Sequence, residues 1–140
     1  EPIQQLARRG TPLLGICMGL QVLFDEGTEF GKHEGLGIIP GKVIPFKLPK
    51  KFKVPHMGWN RILKKKNHPL LDSFEDNAYF YFVHSYHVVP KDPSVIVTTT
   101  DYKIDFVSSV SQGNIYACQF HPEKSQTTGL KLIKAFAGVS

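Results

Sequence analysis

The sequence predicts an α/β fold, with a mixed, mostly parallel sheet flanked by helices and carrying antiparallel additions. Two observations support this. The front of the chain reads helix, buried strand, helix: Ile3, Leu6 and Ala7 at helical spacing, then the apolar run Leu13–Ile16, then Leu20, Leu23 and Phe24 as one stripe. That is the rhythm of a sheet covered on both faces. The rest is dense in β-branched and aromatic runs punctuated by Gly and Pro, as expected of hairpins and added strands.

In chain order, Pro2 occupies a first-helical-turn position and Gly10 follows the last turn, which brackets a first helix. Thr11-Pro12 breaks the chain, and Leu13–Ile16 suits a short strand buried on both faces. A second helix is expected from about Gly19, with Gly27 as its stop. From Gly35 to about Trp59, glycines and prolines punctuate short runs such as residues 42–46, which read as hairpins and loops. Residues 78–89 (AYFYFVHSYHVV) give the strongest strand signal, followed by 95–100, 106–110 and 114–120. A last helix from about Thr127 sets Leu130, Ile133 and Ala137 on one side. With no repeat or linker, residues 1–140 read as one domain.

Composition narrows the class. With 41% hydrophobic and 21% charged residues, 140 residues can bury a core, and no apolar stretch approaches a membrane span. Two cysteines cannot build a disulfide framework, so the default location is cytoplasmic. The net charge of +5 comes largely from Lys47, Lys50, Lys51 and Lys53 and the triplet Lys64-Lys65-Lys66. Without interleaved aromatics these read as solvated loops or strand edges, and neither nucleic acid nor membrane is an expected partner. The chain opens at Glu1 within what already reads as a helix, so an N-terminally incomplete domain is expected.

The chemistry centres on GICMGLQ, residues 15–21. Cys17 stands between Gly15 and Gly19 where a strand turns into a helix, the mechanics of a nucleophile elbow. The following helix N-terminus would favour thiolate, and the Met18 N–H would lie where an oxyanion forms. The alternative is a small buried hydrophobe, a common role for free cysteine. In QFHPEKS, residues 119–125, His121 and Glu123 flank Pro122. Two residues apart in an extended segment they project to one side, so the carboxylate can orient the imidazole. Metal binding finds little support: Cys118/His121 and His84/His87 have ligand-like spacing but lack third and fourth partners. No phosphate-cradling G-x-x-x-x-G-K-[ST] loop occurs.

GICMGLQ followed about a hundred residues later by FHPEKS resembles the class I glutamine amidotransferases, of flavodoxin-like fold. PHMGWN (55–60) and YFVHSY (81–86) are similar to one branch, the glutaminase subunit of imidazole glycerol phosphate synthase. The resemblance implies a Cys17–His121–Glu123 triad that splits glutamine to glutamate and ammonia without cofactor or metal. It implies that Gln21, Ser85 and Tyr86 line the glutamine pocket. It further implies that His56, Met57, Trp59, Tyr81 and Lys124 face a (β/α)₈-barrel synthase subunit in a heterodimer, which receives the ammonia. Family members usually begin with further strands and a PGVG-like loop that supplies a second oxyanion donor, and no such stretch occurs in these residues. Losing such a donor costs about 3 kcal/mol in the barrier. Two alternatives stay open: an amidotransferase of anthranilate or aminodeoxychorismate synthesis, and a non-catalytic interaction domain of the same fold. A glutamine-mimicking electrophile is expected to label Cys17 rapidly and Cys118 hardly at all; equal, slow labelling of both thiols would favour the interaction domain.

Overall fold

A computed structural model describes residues 3–27, 33–49, 52–72, 74 and 77–139; Pro2, Lys50 and Lys51, named above, lie outside them. Three helices and eleven strands follow one another among these residues. The first helix, α1 (Ile3–Arg8), ends at Gly10, whose φ of +80° suits the left-handed cap. The N–H groups of Gly10 and Thr11 close onto the Ala7 and Leu6 carbonyls. Then come β1 (Leu13–Ile16), α2 (Met18–Gln21), β2 (Phe24–Gly27), β3 (His33–Glu34), β4 (Ile39–Pro45), β5 (His56–Arg61) and β6 (Leu63–Lys64). The remainder is β7 (Tyr79–His84), β8 (Tyr86–Pro90), β9 (Ile96–Tyr102), β10 (Ile104–Gln112), β11 (Ile115–Cys118) and α3 (Gln126–Val139). None of the described helices is long and apolar enough to cross a membrane.

One sheet runs β1-β11-β10-β8-β4-β2-β3, with β9 also on β10 and β6 on β9; β5 and β7 form a second, two-stranded sheet. The α/β class and the mixed sheet agree with the sequence. The balance within the sheet differs, because among the described strands only β1–β11 and β2–β4 are parallel ladders. The added strands outnumber them and pair antiparallel.

Alternation along the inner strands explains why both faces are covered. On β11, Tyr116 and Cys118 join one core cluster with Phe82, Phe106, Phe120 and Leu132, while Ile115 and Ala117 join another with Leu20, Phe24, Val43 and Val88. Side chains of period two feed both cores at once.

Three expectations change. The second helix is a single turn, because the carbonyls of Val22, Leu23 and Phe24 accept N–H groups from residues 36–39 instead of continuing the helix. Leu20, Leu23 and Phe24 are still buried, but Gly27 belongs to β2 and stops no helix. The run 78–89 is broken at Ser85: β7 pairs with β5, and β8 pairs with β4 and β10. In α3 the buried apolar side chain is Leu132, with Gly129 also buried, whereas Leu130 is 54% exposed. The inward face is fixed by Gly129, where a Cβ would lie 1.7 Å from the Pro122 carbonyl oxygen. Two of the lysines in the basic runs are loop staples: Lys64 Nζ donates to the Leu71 carbonyl at 2.9 Å and Lys66 Nζ donates to the Ser94 carbonyl.

His56 and His84 are buried where the two sheets meet. His84 Nδ1 lies 2.8 Å from the Tyr86 carbonyl, so this nitrogen donates and Nε2 is left to accept from His56 Nδ1 at 2.9 Å. Asn60 Nδ2 lies 3.2 Å from the remaining His56 nitrogen. Both rings are neutral in this arrangement, and burial pushes His56 down to about 4 and His84 to about 3.

Two predictions follow from this packing. Gly129→Ala gains helix propensity of about 1 kcal/mol but must push aside the Pro122 backbone. Net destabilisation of about 1–3 kcal/mol is expected in urea unfolding; unchanged stability would contradict the close packing. Below pH 6.5 the unfolded chain takes up protons at His56 and His84 that the folded chain refuses. Folding stability is therefore fully present above pH 6.5 and lost as pH falls toward 4, with a slope on the order of 1 kcal/mol per pH unit for each ring. Urea midpoints between pH 7.5 and 5 measure it, and a flat profile would refute it.

Candidate active site

β1 and β11 run parallel with Ile16 opposite Cys118 at the end of the ladder. The chain beyond each strand therefore emerges on the same sheet edge. Cys17 follows β1, and its N–H donates to the Cys118 carbonyl at 2.8 Å. The Cys17 backbone sits at φ 53°, ψ −104°, outside the basins that side-chain-bearing residues favour. Such a conformation costs on the order of 1–3 kcal/mol and persists only where the surroundings over-determine it. Here the Cys17 carbonyl accepts the N–H groups of Leu20 (3.0 Å) and Gln21 (3.3 Å), which ties the elbow to α2. Of the two flanking glycines, Gly15 is the one required by close approach. A Cβ there would meet the Gly19 carbonyl oxygen at 2.9 Å, whereas a Cβ on Gly19 would meet nothing within 4 Å.

The sulfur is half-buried and lies among three polar groups. Gln119 Nε2 donates toward it at 3.6 Å, and the thiol points at the Val83 carbonyl at 3.7 Å. The Met18 N–H also donates to it. Burial pushes the Cys17 thiol up; the Met18 N–H and the Gln119 amide pull it back, Glu123 adds a smaller upward push and Lys124 a downward one. This differs from the expectation of a helix-stabilised thiolate, since a one-turn helix supplies local N–H groups and little macrodipole. Cys118 is fully buried, its thiol pointing at the Phe120 carbonyl at 3.5 Å, and burial raises its pKa well above the usual range.

His121 emerges two residues beyond Gln119. Its backbone is extended (φ −105°, ψ 94°), as the following proline requires. Glu123 reaches it differently from the expectation: Pro122 opens a 3₁₀ turn, Pro122–Lys124, that folds the carboxylate back, with Glu123 Oε2 2.8 Å from His121 Nδ1. A carboxylate on Nδ1 holds the proton there and leaves Nε2 unprotonated. The His121 N–H donates to the Tyr81 carbonyl at 2.8 Å, two residues from the Val83 carbonyl that meets the sulfur. Two residues along a strand span about 6.8 Å, so one strand, β7, anchors both the thiol and the His121 backbone. Three polar groups absent from the sequence reading also shape the site. They are Gln119, fully buried; the Val83 carbonyl; and Ser125, whose hydroxyl donates to the His121 carbonyl (2.6 Å) and accepts from the Tyr81 N–H (2.9 Å). Gln119 and Ser125 bracket the motif that drew attention to His121.

Gln21 ends α2 and is buried, with Nε2 donating to Gln119 Oε1 at 3.3 Å. Ser85 and Tyr86 sit where β7 passes into β8, directly after Val83 and His84. On the second sheet, Met57 and Trp59 are 63% and 47% exposed. Trp59 pairs across the ladder with Tyr81, their rings 6.1 Å apart, and Tyr79 adds a further exposed ring. Lys124 is exposed. His56 is the correction: strand alternation turns it to the opposite face from Met57 and Trp59, buried against His84, so its side chain presents nothing to a partner. Among the described residues no group of three or more His, Cys, Asp or Glu side chains is placed to hold a metal.

A half-buried elbow thiol and a carboxylate-held imidazole that emerge from adjacent parallel strands are the parts that covalent amide hydrolysis requires. The chain is 52% identical over 137 residues to the imidazole glycerol phosphate synthase subunit HisH of Rhodopirellula baltica, covering 98% of this chain and 66% of that protein. It is 51% identical over 134 residues to the protein of the same name from Aquifex aeolicus, covering 96% and 64%. It thus spans about two thirds of the length of the curated relatives it matches. A solved glutamine amidotransferase from Thermotoga maritima superposes with a TM-score of 0.66 at 19% identity, covering 98% of this chain and 51% of that one, a likeness of fold. The profile of the family "Glutamine amidotransferase class-I" matches residues 1–137, and the chain belongs to that family.

Proposed function

We propose that this chain is the glutaminase part of an imidazole glycerol phosphate synthase. It hydrolyses glutamine to glutamate and ammonia, and passes the ammonia to a (β/α)₈-barrel synthase subunit that makes imidazole glycerol phosphate and AICAR in the histidine pathway, a cytoplasmic process. The observation that carries the reading is the emergence of Cys17 and His121 from neighbouring parallel strands, with Glu123 already on the imidazole. The names of the relatives support the specific synthase.

In this reading Cys17 Sγ attacks the glutamine carboxamide carbon as His121 Nε2 takes the thiol proton. The oxyanion forms beside the Met18 N–H. His121 returns the proton to the departing nitrogen, ammonia leaves, and a γ-glutamyl thioester remains. Water, deprotonated by the same imidazole, attacks the thioester carbon and releases glutamate and the thiol. Glu123 keeps the ring in the one tautomer able to perform both transfers. Gln21, Ser85 and Tyr86 hold the substrate, and the Met57, Trp59 and Tyr81 face with Lys124 meets the synthase. That face has the exposed aromatic character of an interface core.

In the intact polypeptide with its synthase partner, Cys17→Ala is expected to lower glutamine-dependent product formation by at least about four orders of magnitude. Product formation from added ammonium is expected to continue. Near-normal glutamine hydrolysis by that variant would overturn the assignment.

A further inference from the structure

Gln119 is a primary amide with no exposed surface, held at the end of β11 by its N–H on the Ser108 carbonyl at 2.8 Å. Burying an amide is costly unless its donors and acceptor are used. Here they are used in one direction. Gln21 Nε2 donates to Gln119 Oε1 at 3.3 Å, and Gln119 Nε2 donates toward Cys17 Sγ at 3.6 Å. The chain of donors thus runs Gln21 to Gln119 to sulfur. With Gln21 as it stands, a flipped Gln119 would set its NH₂ against the Gln21 NH₂ and offer the sulfur only an acceptor, which can serve a thiol but not an anion.

We propose that Gln119 is a positioning residue for Cys17: its buried carboxamide, held one way round by Gln21, presents an N–H to the sulfur and stabilises the anion that attacks. The inference rests on the reading of Cys17 as nucleophile, but it does not depend on which amide Cys17 attacks. It answers a difficulty in the site. Burial and the Val83 carbonyl both disfavour thiolate, and α2 is too short to offset them with a macrodipole. The other titratable groups around the sulfur are Glu123 and Lys124 on the turn after His121, which act in opposite senses, the buried Cys118 on β11, and His121 itself, the base of the proposed mechanism. An N–H donor at the sulfur is worth most in the anionic state.

The test is the pH dependence of Cys17 alkylation by iodoacetamide in the intact polypeptide, with the buried Cys118 as an internal monitor of folding. Gln119→Met, similar in size and without a donor, is expected to move the alkylation midpoint up by about one pH unit. Gln119→Glu places a carboxylate at the sulfur and is expected to move it further. Gln21→Met is expected to move it in the same direction by less, and to add nothing in the Gln119→Met background, the signature of a shared relay. Midpoints of both Gln119 variants within about 0.3 units of the parent would overturn the proposal, since a one-unit shift is what a donor to a charged group implies. Should the Gln119 variants expose Cys118, the unaltered protein decides. The Gln119 side-chain NH₂ resonances are expected to shift with the midpoint of Cys17 ionisation, and resonances that stay still through it would overturn the proposal. Glutamine hydrolysis is measured separately: its persistence in Cys17→Ala would refute the proposed function while leaving the thiol titration to stand or fall alone.

Discussion

The parallel pairing of β1 with β11 is the constraint on which the site depends. Neighbouring strands lie about 4.8 Å apart, and the register that sets Ile16 opposite Cys118 brings the two segments beyond them out together. The proposed nucleophile and base need no long loop to find each other: Cys17 follows β1 directly, and His121 stands three residues beyond β11. The register is itself defended by burial. Tyr116 and Cys118 serve one core while Ile115 and Ala117 serve the other. A one-residue slip of β11 would send each of these side chains into the wrong core. It would also turn the Gln119 amide away from the sulfur. The stability of the sheet and the alignment of the site are thus one requirement.

The elbow adds strain to that frame and a contest of fields. A non-glycine residue at φ 53° is held by backbone hydrogen bonds on both sides, to the Cys118 carbonyl and from the Leu20 and Gln21 N–H groups. The strained backbone lifts the sulfur away from the strand while the parallel ladder runs up to Ile16. Burial makes thiolate unfavourable there, and the groups that oppose burial are short-range donors: the Met18 N–H and the Gln119 amide. Such donors act on an anion within hydrogen-bond reach and little beyond it. The sulfur is therefore protonated by default and needs a base placed by the same frame. In the proposed mechanism His121, with its Nδ1 facing Glu123, supplies one.

Much of this was legible in the sequence, for reasons that particular residues make plain. Gly15 was readable because a close approach leaves no room for a Cβ, and the His-Pro-Glu order was readable because proline restricts the residue before it. The strands of residues 95–120 carried β-branched residues densely enough to announce themselves. The second helix was misjudged because Leu20, Leu23 and Phe24 are buried at a spacing that mimics a helix. Only the competition for the carbonyls of Val22, Leu23 and Phe24, by residues 36–39, shows otherwise, and that is a tertiary fact. The break at Ser85 was hidden for the same reason: residues 78–89 are strand-like throughout, and which sheet each half joins is decided by β4 and β5. Gln119 escaped notice because a polar side chain reads as solvated until its burial is known. His56 was assigned outward with its neighbours, although period two sends adjacent residues to opposite faces.

The second sheet turns out to be part of the catalytic frame through its backbone. Along β7, Phe80, Phe82 and His84 are buried, while Tyr79, Tyr81 and Val83 alternate with them on the other face. The carbonyls of Tyr81 and Val83 point in a third direction, taking the His121 N–H and the Cys17 thiol. The distance between those carbonyls is a property of strand geometry and not of any side chain. Substitutions on the outer face at Tyr79 or Tyr81 leave it intact, whereas a bulge or break in β7 would shift the thiol relative to the His121 backbone. β7 is therefore free to vary its exposed residues while its backbone carbonyls keep their partners on Cys17 and His121. The two-stranded sheet can carry both duties because they use different atoms of the same strand.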